Sequence, residues 1–96
     1  MGTDAIICHP DDTVATAVRD LAPGERVRAT GCGEVVGIEL RDSVLLGHKL
    51  ALRDICEGEE IIKYGEKIGR ATSAIRQGEH VHLHNVDGLR GRGDLR

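Results

Sequence analysis

Aromatic side chains are almost missing from this chain. Its 96 residues contain no Trp, no Phe and a single Tyr, Tyr64. The core must therefore be built from Ile, Val, Leu and Ala. At this length a single domain is expected, and it can bury only about two-thirds of its unfolded surface. A small aliphatic core of this kind makes a docking partner plausible, because association supplies further burial. Long apolar runs are also missing, and none approaches the ~18 residues needed to span a bilayer. The N-terminus lacks the charged and apolar regions of a secretory signal. A cytoplasmic protein with no membrane association is expected. The three cysteines, Cys8, Cys32 and Cys56, are far apart and form no CxxC pair. An odd, scattered set predicts reduced thiols rather than a disulfide framework. A formal net charge of −3 argues against a nucleic-acid partner. Arg90, Arg92 and Arg96, opposed only by Asp94, make the C-terminal end locally basic. There is no Gly-x-Ser-x-Gly elbow, no His-Glu-x-x-His and no phosphate loop, so no complete active site is marked.

Glycine, by contrast, is abundant, with 13 in the chain, which predicts many turns and few long helices. One pattern recurs: aliphatic, two variable residues, Gly-Glu, one variable residue, aliphatic. It reads Leu21 to Val27 around Gly24-Glu25, Ile55 to Ile61 around Gly58-Glu59, and Ile75 to Val81 around Gly78-Glu79. The physical reading is strand, tight turn with a left-handed Gly, strand, used as a repeated device within one fold rather than as a solenoid. Strands are predicted at Ala5–Cys8, Arg26–Ala29, Val35–Leu40, Val44–Leu46, Lys49–Leu52, Glu60–Lys63, Lys67–Ala71 and Glu79–Val86. Thr13–Leu21 reads as a strand or as a short helix capped by Asp11 or Asp12. The fold class is mainly β. Residues 1–86 form the domain, and residues 87–96 a flexible basic tail.

The densest chemistry lies in His80-Val81-His82-Leu83-His84-Asn85, which holds three of the five histidines. In a strand, residues i, i+2 and i+4 share one face, so His80, His82 and His84 would form a row of imidazoles. Such a row suits a metal, acid–base or anion site; a His-rich solvated strand face is the plain alternative. Every second residue of a strand lies roughly 7 Å apart, so the row alone does not close around one ion. Gly47-His48-Lys49 at a turn-to-strand junction could bind a carboxylate or act as acid and base, or be a polar surface turn. Ile62-Lys63-Tyr64-Gly65-Glu66 holds the only aromatic ring, which either covers a core edge or presents phenol and ammonium donors to a ligand. Arg70 is the next free-standing cation or an ion-pair partner.

Three stretches taken together, Gly47 to Ile55, Ile62 to Thr72 and Gly78 to Val86, closely resemble the N-terminal SAF domain of the altronate/galactarate dehydratase family, to which the sulfolactate sulfo-lyase small subunit also belongs. Asp11-Asp12-Thr13-Val14-Ala15 fits the family's opening segment. The resemblance implies a SAF-type β-clip fold. It implies β-elimination next to a carboxylate, from a sugar acid or from sulfolactate, helped by a divalent metal such as iron or manganese. It also implies a separate large catalytic subunit as partner, with homo-oligomerisation left open. On this resemblance His82, His84 and His48 are the candidate catalytic residues, and His80, His82 and His84 the candidate metal ligands. Lys49, Lys63, Tyr64, Arg70 and Asn85 are the candidate substrate-binding residues. Two other readings stand beside the lyase subunit. One is a stand-alone SAF ligand-binding module without catalysis, and the other a small metal-storage or metal-sensing protein.

Overall fold

The computed structural model describes residues 2–88. The predicted basic tail therefore lies outside the described residues, except for Asp87 and Gly88, which belong to the last strand. The described residues form nine strands: β1 (Ala5–Ile6), β2 (Val14–Ala17), β3 (Arg26–Gly31), β4 (Glu34–Glu39), β5 (Lys49–Ala51), β6 (Glu60–Lys63), β7 (Glu66–Ala71), β8 (His80–Val81) and β9 (Val86–Gly88). There is no helix among the described residues, and the fold is mainly β. The segment open to either reading, Thr13–Leu21, is a strand at its centre, paired with β1 and β5. Val14 and Ala15 are both buried, and that burial suits a central strand better than a capped helix with one wet face.

The strands form a six-stranded sheet, β4-β3-β1-β2-β5-β8, and a three-stranded sheet, β6-β7-β9. Only β1 and β3 run parallel; the other pairs are antiparallel. The Gly-Glu turns hold one geometry throughout. Gly24, Gly58 and Gly78 have φ of 86°, 86° and 89°, a left-handed conformation that disfavours side chains. In each turn the following Glu folds its carboxylate back onto a main-chain N–H. Ala22 donates to Glu25 (2.7 Å), Cys56 to Glu59 (2.9 Å) and Arg76 to Glu79 (3.0 Å).

These turns frame two copies of one unit. The first opens at Arg19-Asp20-Leu21 and the second at Arg53-Asp54-Ile55. In each, the guanidinium pairs with the turn glutamate: Arg19 with Glu25 at 2.9 Å, Arg53 with Glu59 at 2.6 Å. The aspartate accepts an N–H from a later turn: Leu46 donates to Asp20 and Gln77 to Asp54, both at 2.9 Å. The leading aliphatic residue bridges to its later counterpart, Leu21 to Val44 and Ile55 to Ile75. Each unit carries a hairpin, β3–β4 or β6–β7, closed at Cys32-Gly33 or Tyr64-Gly65 with positive φ at both tip residues, as a tight two-residue hairpin requires. Each unit also has its own core. Leu21, Val27, Ile38, Leu40, Val44 and Leu50 fill the first; Ile55, Ile61, Ala71, Ile75 and Val81 fill the second, together with Val14 from β2. Burying each large aliphatic side chain contributes about 1.5–3 kcal/mol. Tyr64 takes no part and is 64% exposed.

Candidate functional site

The predicted continuous strand over Glu79–Val86 is interrupted. β8 ends at Val81, residues 82–85 turn, and β9 begins at Val86. Asn85 causes the break. Its Oδ1 accepts the His82 N–H (3.0 Å), its Nδ2 donates to the His80 carbonyl (2.8 Å), and its own N–H donates to the His82 carbonyl (3.1 Å). Both ends of the Asn85 amide are occupied by the turn, and the residue is buried. The imidazoles therefore do not stand in one straight row.

A different trio forms instead. β8 pairs antiparallel with β5, with Lys49 opposite Val81 and Leu50 opposite His80. Continuing that register by one step sets His48 across from His82, the position at which cross-strand side chains touch. The two rings stack with centroids 4.3 Å apart and planes 19° from parallel. His80 shares their face. Its ring lies 5.2 Å from His48 and 5.3 Å from His82, and His48 Nδ1 lies 3.0 Å from His80 Nε2. One potential ligand atom from each of His48, His80 and His82 falls within 4.8 Å of the other two. His84 is exposed and lies against His80 alone, tilted by 33° at 5.2 Å.

His48 arrives there by a variation on the Gly-Glu turn. Val44-Leu45-Leu46-Gly47-His48-Lys49-Leu50 has the same spacing of aliphatics and glycine as the three turns found in the sequence. Gly47 has the same φ, 86°, and His48 N–H donates to the Leu45 carbonyl (2.9 Å) as Glu25, Glu59 and Glu79 do in theirs. Here histidine stands where the others have glutamate, so an imidazole is presented in place of the turn-closing carboxylate. A search for the same spacing with the glutamate relaxed would have found this fourth turn. Asp42, which sequence reasoning missed, accepts the His80 N–H through Oδ2 (2.9 Å) and fixes the start of β8. No local pattern marks it, because the contact joins segments far apart in the chain.

Burial and neighbouring charges disfavour the charged form of two of the three imidazoles. His80 is held below the ordinary imidazole value, first by burial and then by His84, His48 and His82, with Asp42 partly opposing. His82 is lowered by burial, then by His48, Lys49 and His84. Neutral imidazole is the form that binds metal. His82 Nδ1 is buried with no hydrogen-bond partner among the described residues, a position normally satisfied by water, an ion or a ligand. Bonds of about 2.0–2.1 Å to one tetrahedral ion place neighbouring nitrogens about 3.3–3.4 Å apart, so the His48–His80 pair, hydrogen-bonded at 3.0 Å, would exchange its shared proton for the ion and open slightly around it. The trio thus fits a divalent metal with positions left open. All-imidazole donors suit iron, zinc, copper or nickel better than manganese, which prefers oxygen.

Two hollows share Lys49 and Ile68 in their linings, and His82 of the trio lines the first. A groove of about 180 Å³ is lined by Lys49, Ile68, His82, Leu83, Val86 and Gly88. A basin of about 420 Å³ is lined by Lys49, Lys63, Tyr64, Glu66, Lys67 and Ile68. Lys49, Lys63 and Tyr64 are therefore brought to one basin, and Lys49 also lines the groove with His82. Lys49 is held below the ordinary ammonium value by partial burial and by Lys63. The Tyr64 phenol is raised, chiefly by Cys8, then by desolvation and by Asp12. Arg70 stands apart, exposed on β7 between its register partners Glu60 and Asp87, and lines neither hollow.

Comparison with known proteins places this geometry in a family. The sequence profile of the altronate/galactarate dehydratase SAF domain matches residues 3–89. Altronate dehydratase of Bacillus subtilis is 47% identical over 78 residues, which are 81% of this chain and 15% of that enzyme. Altronate dehydratase of Escherichia coli is 46% identical over 78 residues, again 81% of this chain and 15% of the enzyme. The (2R)-sulfolactate sulfo-lyase subunit alpha of Chromohalobacter salexigens is 39% identical over 89 residues, 90% of this chain and 95% of that subunit. The chain thus spans a small part of the dehydratases and nearly the whole of the sulfo-lyase subunit. It belongs to the altronate/galactarate dehydratase SAF domain family.

Proposed function

We propose that this chain is the small subunit of a lyase that eliminates a group β to a carboxylate, working with a separate large subunit. The observation that carries the reading is the His48–His80–His82 trio, three imidazoles with ligand atoms within 4.8 Å of one another, one of them, His82, lining a hollow. The near end-to-end match to a protein named as a sulfo-lyase subunit supports the division of labour, and the dehydratase relatives support the reaction class. His48, His80 and His82 would hold a divalent metal, iron before manganese on the donor set. Bound there, such an ion supplies Lewis-acid stabilisation of the charge that develops when the proton beside the carboxylate leaves. Lys49 faces the same groove and offers a cation to the substrate carboxylate. His84, outside the trio, is the imidazole placed to take or return a proton, at its ring nitrogens. Asn85 and Asp42 hold His80 and His82 in position through the main chain.

The test is capture of the tagged chain from its native cells, followed by assay of the eluate for sulfite release from sulfolactate and for dehydration of altronate and galactarate, with iron restored. Co-elution of a larger protein with either activity supports the proposal and identifies the substrate. A chain that elutes alone and inactive, yet binds a sugar acid, would replace it with the ligand-binding module.

A further inference from the structure

The segments that carry the imidazoles also carry bare leucines. Among the described residues only three leucines are exposed: Leu45 at 53%, Leu46 at 62% and Leu83 at 84%. Leu45 and Leu46 immediately precede Gly47-His48, and Leu83 immediately follows His82. The two segments meet where the His48 and His82 rings stack. Neither needs its leucines to fold. The turn before His48 keeps the backbone of the three Gly-Glu turns, with Gly47 at their φ. In those turns the places of Leu45 and Leu46 are taken by Ala22-Pro23, Cys56-Glu57 and Arg76-Gln77, none of them a large aliphatic. The turn at residues 82–85 is closed by the Asn85 amide on main-chain groups, so the Leu83 side chain plays no part in it. Leu83 instead lines the groove that holds His82 and Lys49. A lone exposed leucine is ordinary, but three gathered on the segments of one site mark a contact surface. The trio itself is only half-buried, and His82 Nδ1 has no partner. A second body that reached these imidazoles would cover the leucines joined to them in the chain, and would exclude water from the chemistry.

We propose that Leu45, Leu46 and Leu83 are anchors that seat this chain on an apolar surface of the large subunit, so that the imidazole trio is closed at the interface between the two. This rests on the lyase-subunit reading and gives it a docking face. The partner surface is apolar rather than charged, because the anchors are aliphatic and carry no hydrogen-bonding group. Leucines inserted into its pockets keep water from the rim of the site. The imidazoles then face whatever groups the large subunit supplies.

The experiment takes the larger protein that co-elutes with lyase activity, identifies it by mass spectrometry, purifies it and titrates it with the full chain by calorimetry. Leu45→Gln/Leu46→Gln and Leu83→Gln should each weaken that binding by about tenfold or more, the loss typical of an interface anchor. Val35→Gln removes a side chain as exposed as that of Leu46, at 61%, but on β4, at the opposite end of the sheet order from β8. It should change the binding by less than about twofold. Glutamine is neutral, so the isolated variants should match the parent in zinc affinity and in urea midpoint. Activity lost at low concentration of a leucine variant should return when that variant is raised to saturation, which a lesion in the chemistry would not allow. Equal binding of the active partner by the parent and the leucine variants overturns the inference and leaves the lyase reading standing. A parent chain that captures no active protein removes both. Parent dimers that the leucine substitutions dissociate, seen by ultracentrifugation with partner binding unchanged, would assign the face to a second copy and overturn the inference as well.

Discussion

A single exchange, histidine for glutamate after the turn glycine, separates His48 from Glu25, Glu59 and Glu79. The consequence is chemical rather than architectural, because Gly47 keeps the φ of its counterparts. His48→Ala or His80→Ala should weaken binding of a divalent metal by more than the 10–100-fold typical of losing an outer-shell partner, measured by competition with a chelating dye. His84→Ala should leave metal affinity nearly unchanged, since its ring contacts His80 alone and from outside the trio. Asp42→Asn tests the support beneath His80. The amide oxygen can still accept the His80 N–H, but the charge that raises the His80 value is lost. The His80 imidazole should then titrate lower still, as read by NMR. At this scale the sequence was partly legible. The histidines themselves stood out, and so did Lys49, Lys63 and Tyr64. Their grouping did not, because it depends on the pairing of β5 with β8 and on the turn that Asn85 closes. An alternating His-x-His-x-His pattern carries no sign of where a strand stops.

The turns are where the sequence spoke most clearly about the elements. The three Gly-Glu turns lie where the pattern put them, and β3 and β6 follow the first two as expected, while the strand after the third stops at Val81. The turn at Tyr64-Gly65 between the strands of β6 and β7 was legible too, whereas the pairing of Leu21 with Val44 was not, since local spacing does not encode long-range partners. The turn carboxylates make a pH prediction. Glu25 is held below its ordinary value by Arg19 and then by the Ala22 N–H, and Glu59 by Arg53 and then by the Cys56 N–H. A carboxyl lowered on folding stabilises the protein above its unfolded value, here the ordinary 4.5 of a glutamate. That stability is lost as the pH falls from there through the folded values. Acid unfolding, followed by circular dichroism below that point, should be shallower in Glu25→Gln/Glu59→Gln than in the parent. The fourth turn gives the converse test. His48→Glu restores the carboxylate of the other turns. It should fold at least as stably as the parent in urea while losing metal binding, a pairing that a merely disruptive substitution would not produce.

Across the whole molecule, two aliphatic cores without an aromatic ring hold nine short strands, and little reserve is expected of so small a domain. Ile75 is buried in the second core and bridges to Ile55. Ile75→Ala should cost about 2–5 kcal/mol, seen as a lower urea midpoint. Metal at 100 times its Kd should add about 2.7 kcal/mol, so treatment with EDTA should lower the Tm of the loaded protein and leave that of the His80→Ala variant unmoved. β8 is joined to β5 through only two register pairs, Lys49 with Val81 and Leu50 with His80, yet the imidazoles of His48, His80 and His82 meet just beyond them. An ion held there would act as a rivet across that seam. Pulled from its C-terminal end, the loaded chain would hold until the rivet sheared and then open in one large step. The stripped chain would peel gradually, strand by strand.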